Sequence, residues 1–424
     1  MSANNVKLPL LLTICLVVFP QLSETIYTPS LPEVAKTLQV SAHLSELTLS
    51  IYFVGFALGT LIWGILSDRV GRRLTMLSGL ITYIIGSIGC LLSSSIGELF
   101  FFRIVQAFGA STGSIITLTM VRDLYVGVER MRVFSLLAMA ITLSPAIGPI
   151  LGGYVSEAFG WQANFTVLTL IGSCLLIGCL FKLPETKSPD AKTISLRDVK
   201  TLSLLIFKDR HVISCALIIG AVNGIIFSFY GEAPFIFTEI LGLTPSQYGL
   251  VGLGISFAGL LAATVSHQLA KILKAEQIIG IGASITFFGS IIFSLAVIFG
   301  MINSQYGYKA LIAVNLPMVI IFFGISLMVP NTLSIALKDY GKVLGSAGSI
   351  LGTIYYIIIA IATSVMSYLH NGSAIPMPLY FLAIASLLIL VKPKRENSPL
   401  KTSDYLSKEL ESSSSSQSVS VSVA

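Results

Sequence analysis

Charge is scarce in this chain. Asp, Glu, Lys and Arg supply 11% of its 424 residues while hydrophobic residues supply 54%, and the mean hydropathy is +0.88. A soluble domain is typically about 25% charged. There is too little polar side chain here to cover a surface facing water, which excludes a soluble enzyme and makes lipid the solvent for most of the chain. Cysteine is equally sparse: Cys15, Cys90, Cys174, Cys179 and Cys215 lie in or beside apolar runs, are odd in number and have no metal-ligand spacing, so they read as packing residues. No phosphate-cradling Gly-Lys-Ser/Thr motif occurs, which argues against work driven by ATP hydrolysis in this chain. An ion gradient remains as the energy source, with no cofactor expected. The apolar runs also lack the alternating polarity of barrel strands, so the fold is all-helical.

What is present is a regular series of apolar runs. They lie at about residues 8–27, 47–66, 75–95, 99–121, 133–155, 164–182, 212–231, 247–266, 278–300, 308–330, 343–368 and 376–392. Each is near the roughly 20 residues that cross a 30 Å hydrocarbon layer at 1.5 Å per residue. Twelve spans are expected, six on each side of a polar stretch. The expected organisation is a six-helix bundle over 1–183, a cytosolic linker over 184–210, a second six-helix bundle over 211–395 and a Ser-rich cytosolic tail over 396–424. The first run has only Lys7 ahead of it and no small-residue cleavage site after it, so it is expected to remain as a span.

The cations orient the chain. Of 26 Lys and Arg, Arg103 lies at or within a span and only Lys36 and Lys309 fall in loops on one side. All the others fall on the opposite side, in alternate loops and both termini. By the positive-inside rule that side is the cytosol. The net charge of +6 is therefore a topology signal, and nucleic acid is not an expected partner.

Polar residues inside lipid each need a reason to be there. Glu24 lies about 24 Å along a core about 30 Å thick. Facing a bundle cavity it would be poorly solvated, which suits a group that takes up and releases a proton. The other reading makes it a hydrated residue near the outer surface, since Tyr27, Pro29 and Pro32 follow. Arg103 stays charged at any accessible pH, so it cannot carry the proton itself. It could hold a carboxylate or an anionic substrate group, or could extend its stem toward the head groups. Gln106 and Gly109 continue its strip of helix. The turn Gly64-Ile65-Leu66-Ser67-Asp68-Arg69-Val70-Gly71-Arg72-Arg73 reads as a gate, with Asp68 paired to a cation such as Arg122, or as a purely topogenic basic turn.

That turn resembles the pattern between the second and third helices of the major facilitator superfamily. Similarity extends over about residues 5–392, and within the superfamily the chain resembles the bicyclomycin and chloramphenicol resistance branch of drug:proton antiporters. Tyr27-Thr28-Pro29-Ser30-Leu31-Pro32, Arg122-Asp123-Leu124-Tyr125 and Ala233-Pro234-Phe235 carry the closer match. Gly148-Pro149-Ile150-Leu151-Gly152-Gly153 matches the antiporter motif of the fifth span and implies export. Pro149 removes a helical hydrogen bond and the glycines leave a flat surface for packing against the opposite bundle. Two departures stand out: the branch's first-span acid is displaced here to Glu24 with Thr25 in its usual place, and Ala107 replaces a glycine in the fourth span. One residue turns a helix about 100°.

Glu232 could be a second acid facing Glu24 across the cavity, or a hydrated rim residue. Tyr52, Tyr230, Phe235, Asn223, Asn315, Tyr355 and Tyr356 are candidate cavity-lining groups. The resulting expectation is a monomeric inner-membrane exporter that exchanges a small amphipathic molecule for protons by alternating access. The alternatives are export of an endogenous metabolite, such as a siderophore or amino-acid derivative, and a transporter-like sensor signalling through the tail with its Ser412–Ser416 run.

Overall fold

The computed structural model describes residues 8–187 and 196–391. The expected tail over 396–424 and part of the linker lie outside the described residues. No strand occurs among those described. The helices are α1 (Leu10–Thr25), α2 (Leu31–Thr37), α3 (Ala42–Val70), α4 (Arg72–Leu92), α5 (Ile96–Leu124), α6 (Gly127–Phe159), α7 (Gln162–Lys182), α8 (Leu196–Lys208), α9 (Arg210–Phe235), α10 (Pro245–Leu269), α11 (Ala275–Ile298), α12 (Tyr308–Ala336), α13 (Leu344–Leu369) and α14 (Pro376–Leu390).

Their ends follow local chemistry. The Ser41 hydroxyl accepts from the Leu44 amide to open α3, Ser95 does the same for α5, and Asp209 accepts from His211 and Val212 at α9. Thr244 and Gln247 form a reciprocal capping box at α10, with Pro245 in its first turn. Gly71 ends α3 at a φ of 100°, a left-handed conformation that favours glycine. Serines and threonines within the spans return their hydroxyl protons to backbone carbonyls, as Ser87 does to Tyr83 and Thr363 to Ile359. That is how such residues are tolerated where no water competes.

Eleven helices among the described residues are long and apolar enough to cross a membrane. The first of these runs from Leu10 to Thr37, longer than its apolar run, because α1 passes through a short turn at Thr28–Ser30 into α2. The last apolar helix, α14, has 15 residues and so rises only about 22 Å, shorter than the expected twelfth span. The outward faces carry Leu11, Phe101, Phe159, Phe181, Phe257 and Phe288, large apolar side chains that no water-facing surface would expose in such number.

The linker is more than a polar connector. Within it α8 places Val199, Leu202 and Ile206 on one buried stripe, the three-and-four spacing of an amphipathic helix.

Helices α1–α7 and α9–α14 meet along two seams, α3 against α13 and α9, and α6 against α10. The turns bearing Arg69, Arg72, Arg73, Lys271, Lys274 and Lys338 lie together at one end of the molecule, termed here the basic face. The opposite end is the distal face.

Candidate functional site

Between the two groups of helices lies a cavity of about 720 Å³. Its deep wall is aromatic, formed by Phe56, Tyr355 and Tyr356, and its mouth carries Arg122 and Lys338 at the basic face. Of the residues expected to line a cavity, Tyr355 and Tyr356 do so. Tyr230 sits instead among Phe227 and Phe229, Phe235 packs on His370, and Asn223 donates to the Ile219 carbonyl one helical turn back.

Behind the aromatic wall is a buried polar cluster built by α1, the turn after it, α3, α4 and α5. Arg103 is wholly buried, its guanidinium 4.3 Å from the Tyr27 ring centroid and 4.2 Å from that of Tyr52. One nitrogen donates to Gln106 Oε1 at 2.6 Å, and Gln106 in turn donates to the Ser87 hydroxyl at 2.9 Å. Arg103 Nε and Nη2 have no hydrogen-bond partner. Glu24, on α1, is 1% exposed and its Oε1 is also unpartnered. It forms no ion pair with Arg103, although each lies in the other's field, and that field reaches Tyr52, Tyr355 and Tyr356. Both side chains are buried among the helices, Glu24 at 1% exposure and Arg103 at 0%. The reason is the extension of the first span through α2, which puts Glu24 well inside the molecule.

At the basic face the α3–α4 turn is organised around Arg72. Its guanidinium meets Asp68, the Ser67 hydroxyl at 2.9 Å and Asp123 at 3.2 Å. The expected Asp68–Arg122 pair does not form. Arg72 lies one helical turn after Asp68 and takes its carboxylate, while Arg122 stands over the Phe134 ring beside the cavity mouth. Glu185, in the extended stretch after α7, accepts from the backbone amides of Arg72 and Arg73 at 2.9 and 3.1 Å and so caps α4. Burial opposes its ionised form, but the bonds from Lys187, Arg72, Arg73 and Thr186 amides outweigh this and hold the carboxyl below the usual range. Arg73 also donates to the Leu180 carbonyl, and the Arg69 carbonyl accepts from Lys187. All these partners belong to α3, α4, α5, the end of α7 and the stretch that follows it. The cluster thus braces one group of helices, and Gly64 abuts the other, against Ser349 of α13.

The glycine motif of α6 serves two neighbours. Gly148 and Gly152 face Thr25 and Ile26 at the end of α1, so closely that a side chain on Gly152 would overlap the Ile26 carbonyl. Gly153 lies against the Pro245 carbonyl, and the Pro149 carbonyl against Gly249, both on α10. The motif therefore touches the opposite group through Pro149 and Gly153, and its own group through Gly148 and Gly152.

The distal face is closed by side chains from both groups. His370 Nδ1 lies 2.9 Å from Glu232 Oε2 and 3.0 Å from Glu46 Oε1, with both carboxylates buried. Ser367 Oγ donates to the His43 carbonyl at 2.7 Å, and Lys36 pairs with Glu239 at 3.1 Å. Burial alone would lower the His370 pKa, but the bond to Glu232 and the nearby Glu46 carboxylate carry it up to about 10. Glu232 thus neither faces Glu24 nor sits hydrated at a rim, because closure of this face has buried it against α3. Glu46 and His370 were not legible as site residues. Each lies at the edge of an apolar run, and only their shared end of the membrane hinted that they could meet.

The fold and these positions can be compared with known proteins. A model of the Major Facilitator Superfamily matches residues 13–363. The chain belongs to the major facilitator superfamily. As a member it is a multi-pass membrane transporter and not an enzyme. Among its superfamily relatives, an uncharacterised transporter of Rickettsia felis is 37% identical over 368 residues, 86% of this chain and 90% of that one. A chloramphenicol resistance protein of Pseudomonas aeruginosa is 27% identical over 370 residues, 86% of this chain and 84% of that one. In fold, the E. coli xylose transporter XylE in a partially occluded inward-open conformation matches with a TM-score of 0.70 at 14% identity, over 90% of this chain and 95% of that one.

Proposed function

We propose that this superfamily member exports small amphipathic molecules from the cytosol of a bacterium in exchange for protons, acting as a monomer in the inner membrane. The cation segregation makes the basic face cytosolic, so the cavity described above opens inward and the distal closure is the outer gate. The observation that carries the coupling is Glu24: a buried carboxylate with an unpartnered oxygen, beside a buried guanidinium that makes no ion pair with it. A carboxylate so placed gains from binding a proton when water is excluded and loses it when the cavity hydrates. Arg103 would bias that exchange without titrating. Similarity to a chloramphenicol resistance protein supports an amphipathic drug-like substrate, as does the aromatic wall of Phe56, Tyr355 and Tyr356. Motion of the two groups along their seams would alternate access, with the α6 motif and the Asp68 turn at the moving parts.

Inside-out vesicles given radiolabelled chloramphenicol under an imposed inward-acid pH gradient test the reading. Uptake is expected in the wild-type chain, and its loss with an uncoupler or with Glu24→Gln. Uptake that survives both would remove the proton from the mechanism.

A further inference from the structure

The three residues that close the distal face do not add up electrically as neighbours. Glu46 comes from α3, Glu232 from α9 and His370 from the end of α13, so the cluster joins the two groups of helices that must part for that face to open. Two carboxylate oxygens converge on one imidazole nitrogen, which has a single hydrogen to give. That hydrogen goes to Glu232, and Glu46 Oε1 is left 3.0 Å away with no hydrogen-bond partner although Glu46 is 3% exposed. With His370 protonated and both acids ionised, the buried cluster would hold a net charge of −1 and an unsatisfied carboxylate, each of which is costly away from water.

We infer that Glu46, Glu232 and His370 form a second proton-binding site, in which one proton on His370 and one shared between the two carboxyls latch the outer gate shut. Each of the three then has a partner, and the cluster becomes neutral. When the face opens, Glu46 parts from the Glu232–His370 pair, which stays within one group of helices, and the proton that the two carboxyls shared is released to water. Closing the gate therefore takes up a proton, and raising the pH opens it. The surroundings do not supply the missing charge. The His43 imidazole on α3 meets the Ser367 hydroxyl and lies tilted against the Tyr368 ring, and the Lys36 and Glu239 charges answer each other. The latch rests on the alternating-access part of the proposed function and not on Glu24 as the carried proton's site.

The same three atoms lie within 4.8 Å of one another and could ligate a divalent cation, so the test must separate proton from metal. Nitroxide labels on Thr37 and Asn371, in a full-length chain whose five free cysteines are replaced by serine, would report the width of the outer gate in nanodiscs by pulsed electron resonance. With a chelator present, the long-distance population is expected to grow between pH 6 and 9, its ratio to the short one rising about tenfold per pH unit for each proton released. Glu46→Gln, which mimics the protonated acid, is expected to keep the gate short to higher pH with a shallower slope. Glu24→Gln is expected to keep a pH-dependent gate while losing coupled uptake, which separates failure of the latch from failure of Glu24 coupling. A pH-independent width, a wild-type profile in Glu46→Gln, or a width that follows added Zn²⁺ and chelator instead of pH would each overturn the latch.

Discussion

Replacing Arg103 by methionine tests whether that buried charge is there for stability or for transport. Its guanidinium lies over two rings, at 4.3 and 4.2 Å. Desolvated contacts of this kind contribute about 2 kcal/mol each. The charged bond to Gln106 at 2.6 Å adds about 1.5–3 kcal/mol. Against this gain of about 6 kcal/mol stands the desolvation of a guanidinium, several kcal/mol even after relaxation, together with two nitrogens that have no partner. Gain and cost nearly cancel, so Arg103→Met, which removes both while filling similar volume, is expected to fold within about 2 kcal/mol of wild type. Transport is expected to fail, since Glu24 loses the charge beside it. Arg103→Lys keeps the charge but loses the planar group that stacks between rings, so it is expected to be the less stable variant and to retain some gradient-driven uptake. Thermal challenge in detergent followed by size-exclusion chromatography reads the first quantity, and vesicle uptake reads the second. A methionine variant that aggregates at once while the lysine variant matches wild type would show the charge to be structural and the reasoning wrong.

Three other outcomes follow from the geometry. Glu185→Ala removes the cap on the Arg72 and Arg73 amides and should cost about 1 kcal/mol of thermal stability, typical of a lost N-cap. Because its folded-state pKa is depressed, that contribution is present above the unfolded value near 4.5 and lost as pH falls through the lower folded value. Melting curves of the wild type and variant should therefore converge at acid pH, and a constant gap would contradict the cap. Gly152→Ala forces α6 off α1 and should lower stability by about 2 kcal/mol or more through overpacking. Gly153→Ala meets Pro245 of the opposite group, so it should slow uptake more than it lowers the melting temperature. Asp68→Asn should cost about 1–2 kcal/mol, because Arg72 keeps Asp123 and the site is partly solvated. Arg122→Ala should cost less, and an equal loss of stability in the two would restore the Asp68–Arg122 pairing.

The helices were largely legible because a lipid solvent reduces fold to length and hydropathy. Glu24, Arg103 and Gln106 stood out for the same reason, as polar groups where hydrocarbon was expected. What pairing each would adopt was hidden. Asp68 chose Arg72 because helical spacing put it one turn away, whereas Arg122, the cation offered as an example of its partner, faces the cavity mouth. Val199, Leu202 and Ile206 carried an amphipathic signal in the linker, but it was masked by the polar composition around them. Glu46 and His370 gave no signal at all singly, since an acid and a histidine at span ends are ordinary, and only three-dimensional closure makes them buried.

The two buried charge clusters differ in what motion can do to them. Glu24, Arg103, Gln106, Ser87, Tyr27 and Tyr52 all belong to α1 through α5 and the turn after α1, so rocking along the seams leaves their mutual distances unchanged. Such a cluster can hold or lose a proton in either conformation, its exchange set by whether the cavity in front of it is wet. Glu46 belongs to one group and Glu232 and His370 to the other, so the same rocking must pull Glu46 away from that pair. The proton shared between the two carboxyls cannot be carried across, because the shared site ceases to exist when the face opens, and it returns to the side from which it came. The division assigns coupling to the cluster inside one group and gating to the cluster between them. A variant of the first should abolish accumulation and leave the gate responsive to pH, and a variant of the second should move the gate's pH response without changing how many protons cross per substrate.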